Sequence, residues 1–177
     1  MKLTTILLAT IIPFTIISCG GKEKSESKTE EATNKPNLEY ILLKEKPVEA
    51  IKISELRTNR KAGETVTFSG KIIGSREVLI DGLAVMIMGD PAKMTTCDLR
   101  PGDACKTPWD VCCDDYKVIK DNIVTVQILD QSGTPIKAGL KGLAGIKEMS
   151  ALTVTGVVDD SSNERNMIIN ATGIFVD

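Results

Sequence analysis

Apolar and polar side chains alternate along five stretches of this chain, as they do in half-buried β-strands. The stretches run from Val66 to Ile72, Leu83 to Met88, Ile123 to Leu129, Leu152 to Val158 and Met167 to Val176. Between the third and fourth stretches apolar residues recur every third position, at Leu140, Leu143, Ile146 and Met149. This spacing predicts a helix, although Gly142 and Gly145 each weaken it by about 1 kcal/mol relative to alanine.

The order of these elements is three strands, one helix and two strands. The segments Ala62–Gly70 and Leu152–Val158, which read Ala-Gly-Glu-Thr-Val-Thr-Phe-Ser-Gly and Leu-Thr-Val-Thr-Gly-Val-Val, resemble strands of OB-fold barrels. The resemblance covers about residues 50 to 177. It implies a mainly β fold, a five-stranded OB-like barrel with one helix between strands three and four and a cysteine-rich insertion between strands two and three. Because unrelated functions share this fold, it implies no activity.

The N-terminus has the pattern of a secretory signal: a lysine at position 2, an apolar core from Leu7 to Ile17, and Ser18 before Cys19. This end resembles the bacterial lipobox, which implies that Cys19 is lipidated. The apolar core is shorter than the roughly 20 residues that span a bilayer. We therefore expect residues 1–18 to be a signal peptide and the mature protein to be anchored to the membrane by lipid. The expected location is the periplasmic side of the outer membrane.

The segment after Cys19 is polar and charged, and residues 22–35 contain one alanine and no larger apolar side chain. Such a segment buries too little apolar surface to offset the entropy of ordering it. We expect residues 19–36 to form a lipidated tether and residues 37–177 to form the barrel domain, with residues 91–122 as the insertion.

That insertion contains all four remaining cysteines: Cys97, Cys105, Cys112 and Cys113. From Cys105 it reads Cys-Lys-Thr-Pro-Trp-Asp-Val-Cys-Cys, and it is similar to an insertion in a family of uncharacterised exported bacterial OB-like lipoproteins. In an oxidising compartment four cysteines point first to two disulfides. A bond between the adjacent Cys112 and Cys113 would be strained, so each is expected to pair with an upstream cysteine, in either of the two possible ways.

Two other roles of these cysteines stay open. Four thiolates are ligands for zinc, or for copper(I) with help from Met86, Met88 or Met94. Met86 and Met88 near Trp109 resemble the site of an OB-like periplasmic copper chaperone, but such chaperones also use a histidine and this chain has none. A redox pair at Cys112 and Cys113 is disfavoured, because neighbouring aspartates raise thiol pKa values.

The lack of histidine also removes the commonest general base, and no glycine-rich phosphate loop is present. Without the signal peptide, which contains one lysine, the chain has 21 basic and 24 acidic residues, a net charge of −3. We therefore expect a non-catalytic binding module without a cofactor, whose ligand is an envelope protein or a small molecule. Single-stranded nucleic acid, which needs a basic groove with exposed aromatics, is disfavoured, and an oligosaccharide is a further alternative.

The expected binding surface is the outer face of strands two and three. It comprises Met86, Met88, Trp109, Thr125 and Gln127, with residues 159–165 at its rim. The alternative location is the cysteine insertion itself, if the thiols hold a metal. The state of the cysteines separates these two functions.

Overall fold

The computed structural model describes residues 36–177 except Asp103. The elements are β1 (Ile51–Lys52), α1 (Ile53–Asn59), β2 (Thr65–Lys71), β3 (Val85–Gly89), α2 (Tyr116–Asn122), β4 (Ile123–Gln127), β5 (Ala151–Val158) and β6 (Ile168–Val176). Short 3-10 turns cover Glu39–Ile41, Cys97–Leu99 and Leu143–Gly145. The predicted signal peptide, Cys19 and all of the predicted tether except Pro36 lie outside the described residues. No helix in the described part of the chain has the length and apolar character needed to cross a membrane.

Five strands close into a barrel. The order β2-β3-β4-β6-β5 is completed by pairing of β5 with β2, while the short β1 pairs in parallel with β2. The β4–β6 pair is parallel and the other barrel pairs are antiparallel. The predicted mainly β, OB-like barrel is therefore confirmed.

The barrel interior is filled by the alternating apolar residues of each strand. Val66 and Phe68 of β2 and Val124 and Val126 of β4 are all buried, as their spacing predicts. In β5 the alternation includes Gly156, next to a shift in register with β6. A Cβ atom there would lie 2.6 Å from the carbonyl oxygen of Asn170, so only glycine fits this close approach.

The helix predicted between the third and fourth barrel strands is reduced to the single 3-10 turn Leu143–Gly145. Gly142 and Gly145 adopt left-handed conformations with φ of 90° and 82°, and Ala144 between them also has a positive φ of 47°. Left-handed residues cannot continue a right-handed helix. Leu140 and Ile146 are nevertheless buried in the core. The regular spacing of apolar residues here therefore arises from a turn that packs against the core and not from a helix.

The two α-helices lie elsewhere. α1 precedes the barrel, and its Leu56 and Ile53 side chains are fully buried. α2 ends at the start of β4, and Asp115 caps its first turn by accepting a hydrogen bond from the backbone N–H of Lys117 at 2.8 Å. Neither helix was predicted, because seven residues are too few for a periodic pattern to be recognised.

Candidate functional site

The segment that contains the cysteines leaves the barrel after β3 and returns to it at β4. Its two ends are held together where the backbone N–H of Asp90 donates to the carbonyl oxygen of Asn122 at 3.0 Å. The buried Asp90 carboxylate also accepts hydrogen bonds from the N–H groups of Ala92 at 2.9 Å and Ser54 at 3.3 Å. The segment therefore starts from a fixed point on the barrel and on α1.

The same segment builds a second, smaller apolar core with residue Ile73 of the barrel domain. Met94 and Val111 are buried in it, and Trp109 packs against both this cluster and the main core. The Trp109 indole N–H donates to the carbonyl oxygen of Arg76 at 3.0 Å. Trp109 is half-buried and joins the cysteine segment to the barrel, so its observed contacts are structural.

Three of the four thiols converge. The backbone N–H groups of Cys97 and Asp98 donate to the carbonyl oxygens of Asp110 and Pro108, at 2.8 and 3.2 Å, which aligns the two arms of the segment. As a result the Sγ atoms of Cys97, Cys105 and Cys112 all lie within 4.8 Å of one another. We call these three residues the thiol triad.

The fourth cysteine, Cys113, lies outside the triad. Its Sγ atom is 3.9 Å from that of Cys112, its neighbour in sequence. The Sγ atom of Cys112 is therefore within 4.8 Å of both other triad sulfurs, and that of Cys113 is not.

The predicted disulfides are not formed among Cys97, Cys105, Cys112 and Cys113. The Sγ atoms of Cys97 and Cys112 are 3.8 Å apart, whereas a disulfide requires about 2.05 Å.

The thiols of the triad differ in acidity. Hydrogen bonds from the Thr107 hydroxyl and backbone N–H lower the pKa of Cys105, and a hydrogen bond with Cys97 lowers it further. For Cys112, a hydrogen bond with Cys97 favours the thiolate, but the Cys113 thiol, partial burial and the Asp110 carboxylate outweigh it and raise the pKa. Of Cys105 and Cys112, Cys105 is therefore the one whose pKa shift favours the thiolate, the form that binds metals.

An ion pair lies beside the triad. The Arg100 guanidinium contacts the Asp114 carboxylate, which also accepts a hydrogen bond from the backbone N–H of Thr95 at 2.8 Å. The buried Nε of Arg100 has no hydrogen-bond partner among the described residues. This ion pair links the Cys97 turn to the residue directly after Cys113.

The predicted barrel-face surface is corrected by the structure. Met86 and Met88 are fully buried in the core, so neither can contact a ligand. Thr125 and Gln127 do face outward, but they bond to neighbouring side chains, Thr125 to Asn166 at 3.2 Å and Gln127 to Asn170 at 2.8 Å. The sequence correctly predicts that residues of β3 alternate between two faces, but it assigns the wrong face to the surface. Both faces carry apolar residues, so the pattern does not distinguish the buried face from the exposed one.

A cleft that was not predicted from the sequence lies between α1, the end of α2 and the loop 159–167. Arg57, Arg60 and Lys61 line one wall, and Lys93 and Lys120 approach from other segments. The balanced overall charge gave no sign of it, because the basic residues are distant in sequence. The sequence signals were the short basic run at the end of α1 and the loop of residues 159–165, which was assigned to the rim of the barrel-face surface.

Comparisons with protein-family models, with curated proteins and with solved structures found no match to this chain. The chemistry of the thiol triad and of the cleft is therefore inferred from their own residues.

Proposed function

We propose that this protein is a lipid-anchored bacterial envelope protein that binds a thiophilic metal ion without catalysing a reaction. The ligands are the sulfurs of the thiol triad, Cys97, Cys105 and Cys112. The observation that carries the proposal is the mutual approach of these three Sγ atoms to within 4.8 Å. The lipid anchor rests on the signal-like N-terminus and Cys19.

The spacing of the sulfurs fits a common central ion. A metal about 2.3 Å from each sulfur places the sulfurs about 3.8 Å apart in tetrahedral geometry and about 4.0 Å apart in trigonal geometry. The observed distance from Cys97 Sγ to Cys112 Sγ is 3.8 Å. Cys97 is buried and Cys112 is exposed, so the cluster spans from the core to the surface and an ion can enter from solvent.

The donor set favours copper(I). Thiolates are soft ligands that select copper(I) and zinc over harder ions. Structural zinc sites almost always use four protein ligands, whereas the sulfurs that lie within 4.8 Å of one another number three. The lack of histidine is the basis for a binding role rather than acid–base catalysis.

The adjacent cysteines provide a matched test. The full-length protein is purified in detergent from the envelope of expressing cells without oxygen, and bound metal is measured by mass spectrometry. We expect about one copper ion per chain, retained in Cys113→Ser and lost in Cys112→Ser, because only Cys112 belongs to the triad. Both variants replace one sulfur by one oxygen at neighbouring positions, so general damage to the segment affects them alike.

Alkylation distinguishes thiols from disulfides in the same preparation. The denatured, metal-free protein should react at all four cysteines without a reductant. Reaction only after reduction would show disulfides and overturn the metal proposal. Equal metal loss in Cys112→Ser and Cys113→Ser would overturn the assignment of the triad, and zinc in place of copper would overturn the choice of ion.

A further inference from the structure

The unpredicted cleft has a volume of about 840 Å³, within the size range of small-molecule sites. Its walls come from four separate parts of the chain: α1 with the residues that follow it, Lys93 after β3, the segment around Lys120 at the end of α2, and the loop that follows β5. This loop is held in shape by Asp159, which accepts hydrogen bonds from the Ser161 backbone N–H at 2.9 Å and the Asn170 amide at 2.7 Å. The cleft is therefore bounded by ordered structure on each side.

Positive charge predominates in this cleft. Its basic residues are Arg57, Arg60, Lys61, Lys93 and Lys120, and its acidic residues are Asp121 and Glu164. Asp121 is already engaged by Lys117 at 2.7 Å and Lys120 at 3.4 Å. Among the described residues, the Lys61 and Lys93 ammonium groups form no ion pair. Arg60 is paired with Glu64 at 3.8 Å, so the excess positive charge of the cleft lies at Arg57, Lys61 and Lys93, where it focuses the field on an anion.

Arg57 contributes hydrogen-bond donors to this cleft that lack acceptors. Its Nη2 donates to the carbonyl oxygen of Glu164 at 2.7 Å, but its Nε and Nη1 are buried and have no partner among the described residues. Burial lowers the pKa of Arg57, against the opposing effect of the Asp121 carboxylate. Buried donors without acceptors cost free energy, and an incoming oxyanion would remove that cost.

We propose that this cleft binds a small, multiply charged phosphate compound, with Arg57 as the central ligand. Binding requires the Arg57 guanidinium to turn so that its buried Nε and Nη1 meet the phosphate oxygens. The ammonium groups of Lys61, Lys93 and Lys120 neutralise the remaining charge. Phosphate fits better than a single carboxylate, because one tetrahedral group carries up to two charges and several acceptor oxygens that the converging cations need. This site is separate from the thiol triad and does not depend on bound metal.

Calorimetric titration of the full-length protein with inorganic tripolyphosphate tests the proposal. We expect one saturable site at low salt, weakened by added salt as screening reduces the attraction. Arg57→Met and Lys93→Met should each weaken binding about tenfold or more, which is the loss expected for one charge-assisted contact. Arg76→Met is the matched control, since it removes one exposed arginine outside the cleft and should change affinity about twofold or less.

The thermal unfolding of the ligand-free variants completes the test. Arg57→Met removes two buried donors without partners but also the hydrogen bond from Nη2 to Glu164, so its midpoint should change little while binding is weakened. If that variant does not fold, Lys93→Met still decides, because Lys93 is exposed and contributes only to the cleft. No saturable binding, tighter binding of citrate than of tripolyphosphate, or equal losses in Arg57→Met, Lys93→Met and Arg76→Met would overturn the proposal.

Discussion

Trp109 is the residue that most directly couples the cysteine segment to the barrel. Its ring packs against both the main core and the small core of Ile73, Met94 and Val111. Its indole N–H donates to the Arg76 carbonyl at 3.0 Å, and its own carbonyl accepts from the N–H of Gly74 at 3.2 Å. Substitution of the side chain leaves the backbone contact in place, so the contributions of the indole can be separated.

Two substitutions separate the hydrogen bond from the packing. Trp109→Phe keeps most of the ring but removes the donor to Arg76, and should lower the free energy of unfolding by about 1 kcal/mol. Trp109→Ala also removes the packing of the ring between the two cores. Replacement of a fully buried aromatic residue by alanine lowers the free energy of unfolding by about 3–5 kcal/mol. Because Trp109 is only half-buried, we expect a loss of about 3 kcal/mol, at the lower end of that range.

Urea unfolding followed by circular dichroism measures these losses. The control is Tyr116→Ala, in the same segment, since the Tyr116 side chain is 73% exposed and its removal should change stability by about 0.5 kcal/mol or less. The Cys97 thiol should react faster with a thiol reagent in Trp109→Ala, because the segment loses its attachment. A loss in Trp109→Ala no larger than that in Tyr116→Ala would refute the coupling.

Two further predictions concern the anchor and one acidic turn. Cys19→Ser should move the protein from the membrane fraction to the soluble fraction and abolish incorporation of labelled fatty acid; unchanged labelling would contradict the anchor. Asp130 accepts hydrogen bonds from Ser132 and Thr134, which lower its pKa to about 2. Because the folded-state pKa is depressed, this contribution to stability is present above the unfolded pKa of about 3.9 and is lost as the pH falls towards 2. Asp130→Asn should therefore lower the unfolding midpoint at neutral pH, with the difference shrinking between about pH 4 and pH 2; a pH-independent difference would contradict this.

The alternation of apolar residues was sufficient to predict the barrel. In β2 and β4, the residues that alternate with Thr67 and Thr125 are apolar, so a single face can enter the core. The same rule failed in β3, where Val85 and Ile87 on one face are as apolar as Met86 and Met88 on the other. Only the pairing of β3 with β4 decides that the methionines point inward, because cross-strand neighbours share a face.

Local backbone conformation explains the failed helix. Leu140, Leu143 and Ile146 have helical spacing, yet the chain reverses through left-handed residues at Gly142 and Gly145. The spacing of apolar residues reports which side chains reach the core, and a tight turn can deliver them as well as a helix can. The glycines were the sequence signal that distinguished the two, since they are among the residues best able to adopt this conformation.

The sequence by itself determined the class of fold, the polar segment before it and the type of chemistry available: thiols without imidazole. Tertiary structure alone decided which thiols meet, because hydrogen bonds between the two arms of the segment bring Cys97 beside Cys112 and leave Cys113 outside. It also decided where charge accumulates, since Arg57, Lys93 and Lys120 are far apart along the chain and meet only in the folded cleft. Periodic patterns encode local structure, whereas a site depends on distances between segments that no local pattern contains.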